Sequence, residues 1–188
     1  MTIAFAARAV AFNDLAKAQG WPSLCDPDLA FESEALTDLL AIWRKHAGTE
    51  AIPQRSRTSA RVLKQHLGHV AILERVADGP ARYRVRLMGT RITQMVGEMQ
   101  GKFLEDVVPA ELLPRWYCAL DLTLAEGRPL RFVTRVDFGK LEFLQAELLL
   151  APLLEGSDTP SLVLGGVAFK VNATHEFGNE AARSLRIS

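Results

Sequence analysis

The chain has 188 residues, 48% of them hydrophobic and 23% charged, with 22 Lys plus Arg against 22 Asp plus Glu. That length suits one domain with arms, enough to bury ~70% of the extended surface, and the composition excludes disorder for the bulk of it. A formal net charge of zero lacks the basic field that broad nucleic-acid binding requires, so no nucleic-acid partner is expected.

Cys25 and Cys118 lie far apart, with no disulfide framework and no paired-Cys metal spacing. That favours a reducing compartment, and a cytoplasmic location is expected. No uninterrupted apolar run reaches the ~18 residues of a membrane span. Residues 1–12 are apolar, but they have no basic leading segment and Arg8 interrupts them, so they read as a helical arm rather than a secretion signal.

In chain order, Asn13 or Asp14 is placed to cap a short helix that stops at Gly20, with Pro22 beyond it. Residues 25–27 read as loop. Ser33 can cap a stronger helix, on which Leu36, Leu39, Leu40 and Trp43 share one stripe. Glu34 suits its first turn, Arg44, Lys45 and His46 its last, and Gly48 the position after it. Residues 51–59, with Pro53, Arg55 and Arg57, read as an extended, solvated linker.

From Gly68 the period falls toward two. Residues 70–76 form an apolar strand, Asp78-Gly79-Pro80 a turn, and residues 82–88 an alternating strand. Tyr83, Val85 and Leu87 should face one way, and Arg82, Arg84 and Arg86 the other. Thr90 can cap a short helix with Ile92, Met95 and Val96, ended by Gly97. A second short turn carries Phe103, Leu104 and Val107, and Pro109 closes it. Pro114 opens a longer helix whose stripe is Trp116, Ala119, Leu120, Thr123 and Leu124, ended by Gly127. Residues 130–138, 141–153 and 161–169 are three further strands, with turns at Gly139-Lys140 and at residues 157–160. The last residues read as a polar tail with a short helix near Glu180. Clustered strands and segregated helices indicate an α+β domain with an antiparallel sheet. The parts are an N-terminal helical extension (1–48), a linker (49–66), the main domain (67–171) and a C-terminal tail (172–188).

Trp43-Arg44 with Gly48 and Pro53, the strand ending Leu87-Met88-Gly89-Thr90-Arg91-Ile92, Gly97, Gly101-Lys102 and the helix ending Gly127-Arg128-Pro129 occur in one order. Over residues 36–169 this arrangement resembles the single-domain PAS proteins common in alphaproteobacteria. The resemblance implies a PAS fold: a five-stranded antiparallel sheet with short helices on one face, first and last strands central, second and third strands at the edges. The residues agree with that order. The expected edge strands carry Arg82, Arg84, Arg86, Arg131 and Arg135, which resist stray pairing, and the expected central strands are apolar enough to need cover on both faces. The second face should be covered by the stripe of the 33–47 helix, by a second subunit, or by both.

Little in the sequence points to catalysis or to a cofactor. His66 and His69 have helical ligand spacing, but no carboxylate or Cys completes a set with them, and His46 and His175 stand apart. Between Gly79 and Thr174 there is no His for haem. Cys118, among Trp116, Tyr117, Ala119 and Leu120, is not in the short-helix context of a flavin-reactive Cys. Ser59, Ser157 and Ser161 have no nucleophile-elbow context, and Gly165-Gly166 inside a strand marks a bulge or close packing. The Arg82, Arg84, Arg86 stripe could meet an anion or an acidic partner, with a solvated edge as the plainer reading.

A ligand pocket is expected between Tyr83, Val85, Leu87, Ile92, Met95, Val96, Met99, Phe103, Trp116, Leu120, Phe132 and Val136, the methionines suiting a cavity that changes shape. The reading is a non-enzymatic PAS sensor that binds a small ligand, a protein partner or both and signals through its leading helix. Leu36, Leu39, Leu40 and Trp43 are the candidate interface of a homodimer. The alternatives are a filled-core interaction module and, ranked last, a small cone-shaped α+β enzyme, since these pocket walls contain no Asp, Glu or His for acid–base work.

Overall fold

A computed structural model describes residues 2–76, 80, 82–136 and 144–171. The expected turns at Asp78-Gly79 and Gly139-Lys140, Phe138 and residues 141–143 of the expected strands, His175 and the tail with its helix near Glu180 lie outside the described residues.

The chain runs α1 (Thr2–Ala18), β1 (Ser23–Asp26), α2 (Glu34–Ala47), β2 (Val70–Val76), β3 (Arg82–Met88), α3 (Thr90–Val96), α4 (Leu113–Glu126), β4 (Leu130–Arg135), β5 (Leu144–Leu153) and β6 (Leu162–Val171). The sheet order is β1-β4-β5-β6-β2-β3, with every pair antiparallel. The α+β reading and the central position of β5, β6 and β2 therefore hold.

Two corrections concern the rims. The sheet has six strands, not five, because residues 23–26, which include Cys25 and Asp26 of the expected loop, pair with β4. Consequently β4 is not an edge. Its Arg131 is not a solvated edge charge either: it is ion-paired to Asp26 at 2.8 Å and to Glu147 at 2.7 Å. A four-residue strand is too short to show a period, so β1 left no mark in the sequence. Asn13 does not cap a helix; α1 runs past it to Ala18. Its side chain instead clamps β1, accepting from the Cys25 N–H at 2.7 Å and donating to the Cys25 carbonyl at 2.9 Å.

Alternation along β5 builds two cores. Leu144, Ala146, Leu148 and Leu150 point to the face shared with α1, α3 and α4. Leu149, Ala151 and Leu153 point to the face covered by α2. The stripe Leu36, Leu39, Leu40 and Trp43 is buried there against the chain's own sheet, and Trp43 Nε1 donates to the Pro152 carbonyl at 2.8 Å. The four residues offered as a dimer interface are thus already used within one chain.

Ser33 is the N-cap of α2, but its side chain makes no cap bond. Glu147 from β5 does that work: Oε1 accepts from the Glu32 N–H and Oε2 from the Ser33 N–H, both at 2.9 Å. An anion suits the positive end of a helix. The segment read as a solvated linker is tied down as well. It forms a 3-10 turn at Arg55–Thr58, its Arg55 N–H donates to the Leu154 carbonyl at 2.8 Å, and Leu63 is buried in the α2 core.

Candidate functional site

The pocket begins with the strand that defines its rim. β3 carries a bulge: Ile72 pairs with Leu87, but the next residue, Leu73, pairs with Val85. Arg86 is the extra residue, and an extra residue flips everything beyond it to the other face. Tyr83 and Val85 therefore join the inner core while Leu87 packs in the α2 core. The expected alternation fails at Leu87 for this reason, and Met88 takes the inward place.

Beyond Met88 the chain must turn at once into α3. Gly89, not Thr90, is the N-cap. A Cβ on Gly89 would lie 2.1 Å from the Leu67 carbonyl oxygen, so only glycine lets these two backbone segments approach. The tight turn aims α3 over the sheet, and α4 follows with its proline in the first turn and Gly127 in the left-handed conformation (φ 62°) at its end.

Between this roof and the sheet lies a cavity of about 120 Å³. Of the residues expected in its wall, Val85, Ile92, Val96, Met99, Trp116 and Val136 line it. The floor adds Leu73, Ala146, Leu148, Leu150, Val167 and Phe169 from the central strands. These were legible as apolar strand residues, but which face each strand presents depends on the register.

The other expected wall residues are placed elsewhere. Tyr83 is buried, with its hydroxyl donating to Asp121 at 2.6 Å and its ring 5.5 Å from that of Tyr117. Phe103 stacks under the Arg82 guanidinium at 3.7 Å. Leu120 is core, and Met95 packs half-buried against it. Phe132 meets Phe12 edge-on at 5.2 Å and borders a separate void of about 10 Å³. That small void shares Arg115, Trp116, Thr134 and Leu148 with the main cavity.

Arg115 was missed. It is buried, and its Nη2 donates to the Arg135 carbonyl at 3.4 Å. A basic residue beside Pro114 at a helix start gives no sequence signal of burial.

Among the described residues no Asp, Glu, His or Cys lines the cavity. Burial raises the Cys118 thiol, and burial together with the Asp26 charge pushes Cys25 up to about 12. Both thiols are therefore poor nucleophiles, and neither touches the cavity. Among the described residues no group of three His, Cys, Asp or Glu side chains could hold a metal ion. Again among the described residues, no helix is long and apolar enough to cross a membrane.

The arginine stripe is internally balanced. Arg84 and Arg86 both pair with Glu74, Arg86 also with Glu155, and Arg82 with Glu105. The 101–103 segment shields this edge, with Val85 and Lys102 sharing a backbone hydrogen bond of 2.9 Å.

A model of the PAS domain matches residues 31–168, which spans α2, the sheet from β2 to β6 and the cavity roof. The chain belongs to the PAS domain family. PAS domains are sensor and signalling modules, typically without catalysis of their own. No curated protein matches this PAS chain significantly. Among solved structures it is similar to an RNA-binding light-oxygen-voltage receptor, with 14% identity over 60% of this chain and 33% of that one, at a TM-score of 0.39. It is also similar to a variant of RsLOV, with 16% identity over 81% of this chain and 76% of that one, at a TM-score of 0.38. The PAS chain spans about a third of the first of these structures.

Proposed function

We propose that this PAS domain is a non-enzymatic cytoplasmic sensor. It binds a small apolar or amphipathic molecule in the cavity beneath Trp116 and passes occupancy through the sheet to α2, and from α2 to a protein partner. The observation that carries this reading is an apolar cavity of about 120 Å³ between the sheet and the helical roof. Packed protein interiors seldom leave a void of that size unfilled.

The route to α2 has a physical basis. Gly165 lines the cavity. Its neighbour Gly166 faces the other side, where an added Cβ would come within 2.8 Å of Leu36 and 2.9 Å of Leu39. With two adjacent glycines, only backbone separates a ligand from the helix. A second copy of the chain is not needed to cover the sheet, because α2 does so.

Native mass spectrometry of protein freshly purified from its own cells tests the reading. A retained small molecule, or a thermal shift with members of a small-molecule library, is the expected result. No adduct and no shift across the library would overturn it and leave a filled-core interaction module.

A further inference from the structure

The wall of the cavity limits the chemistry of its ligand. Leu73, Leu148 and Leu150 from the sheet, with Ile92, Val96 and Met99 from α3 and the turn after it, offer only carbon and sulfur. Besides the indole of Trp116, the polar side chains that border the cavity among the described residues are Arg115, Thr134 and Arg135. All three are engaged elsewhere. Arg115 donates from Nη2 to the Arg135 carbonyl at 3.4 Å and is no free cation. Thr134 Oγ1 donates to the Pro22 carbonyl at 3.0 Å. Arg135 is exposed, so water meets its charge. A hydroxyl or carboxylate on a ligand in this cavity gives up its hydration against a wall of carbon, which weakens binding. A hydrocarbon gives up no hydrogen bond and gains by leaving water.

Size sets the body of the molecule. An apolar protein cavity of roughly 150 Å³ takes up benzene, and this one measures about 120 Å³. Met88 and Met99 in the wall are unbranched and adapt their shape, so one six-membered ring or a short alkyl chain fits with a small shift of these side chains. A fused-ring or long acyl body exceeds the space. We propose that the cavity takes an uncharged, hydrocarbon-like molecule, a single aromatic ring or a short alkyl chain, and discriminates against the same body carrying a hydroxyl or a carboxylate. The proposal rests on the reading of the cavity as a ligand site and names the ligand class within it.

Isothermal titration of the full chain in sealed cells with toluene, phenol, benzoate and naphthalene tests it at neutral pH. Toluene should bind. Phenol, which replaces the methyl by a hydroxyl of similar size, should bind at least about tenfold more weakly, and benzoate more weakly still. Naphthalene should not bind the wild type, while Met99→Ala, which removes bulk from the wall, should admit it. Ala146→Leu, which adds bulk to the floor, should weaken toluene binding at least about tenfold. Circular dichroism confirms that each variant folds; if Ala146→Leu does not, the wild-type series and Met99→Ala still decide. Phenol or benzoate binding as tightly as toluene, or naphthalene binding the wild type, would overturn the ligand class and leave the ligand cavity standing. Toluene affinity indifferent to Ala146→Leu would put toluene outside this cavity and overturn the assignment. Failure of every probe to bind would overturn both the class and the ligand reading.

Discussion

The two tyrosines of the chain, Tyr83 and Tyr117, are each held in the neutral form. Burial is the larger cause, and a carboxylate partner adds to it: Asp121 for Tyr83, and Glu105 for Tyr117 at 2.8 Å. Burial and Glu105 push Tyr117 up to about 12 from 10.0, and Tyr83 is raised further. Because both folded values exceed the unfolded value, their contribution to stability is complete below pH 10.0. It is lost as pH rises from there through the folded values. The phenolate absorbance of the native protein should therefore stay near zero at pH 10, while the unfolded chain titrates there. A phenolate signal from the folded protein at pH 10 would contradict these two hydrogen bonds. Single residues also show where sequence reading stops. Val85 was placed correctly and Leu87 was not, because the bulge at Arg86 is a property of the pairing with β2 that alternation within one strand does not carry. Arg115 escaped notice because burial of a charged residue is decided by its surroundings.

At the scale of elements, α2 is fixed to the sheet in two ways. Its apolar stripe lies over Leu149, Ile72 and Leu164, and the Glu147 carboxylate holds the backbone at its start. Glu147 also accepts from Arg131 Nε at 2.7 Å. Since Arg131 pairs across from Leu149, the two charges are diagonal neighbours on the outer face. Removing Glu147 takes the acceptor from two backbone N–H groups and one of two close carboxylates from Arg131, which keeps Asp26; a hydrogen bond to a charged group is worth about 1.5 kcal/mol. Glu147→Ala should therefore lower stability by at least about 1.5 kcal/mol and speed amide exchange in α2 more than in β5 or β6. Glu147→Gln, which keeps an acceptor, should lose less. Equal protection of α2 in Glu147→Ala and wild type would remove this carboxylate from the account. The α2 helix was readable because its stripe, its cap position and Gly48 agree. The identity of its capping group was not, because Glu147 comes from a strand 114 residues further along the chain than Ser33.

For the whole molecule, the order of central strands was legible because strands covered on both faces read as apolar runs. The sixth strand was not, and it changes how the molecule protects its edge. β1 covers the side of β4, and α1 packs Phe12 onto Phe132 behind it. Removing residues 1–27 should therefore expose the edge of β4 and part of the inner core, so that the remaining chain self-associates. Light scattering should show species larger than a monomer growing with concentration; a truncated chain as monodisperse and heat-stable as the full one would contradict the role given to β1. The cavity on which the sensor reading depends is itself open to a direct measurement. Xenon enters dry apolar cavities, and crystals of the ligand-free protein held under xenon pressure should show one strong site bounded by Val85, Ile92, Met99, Trp116 and Leu148. The same space filled by repacked side chains, with no xenon bound, would contradict it.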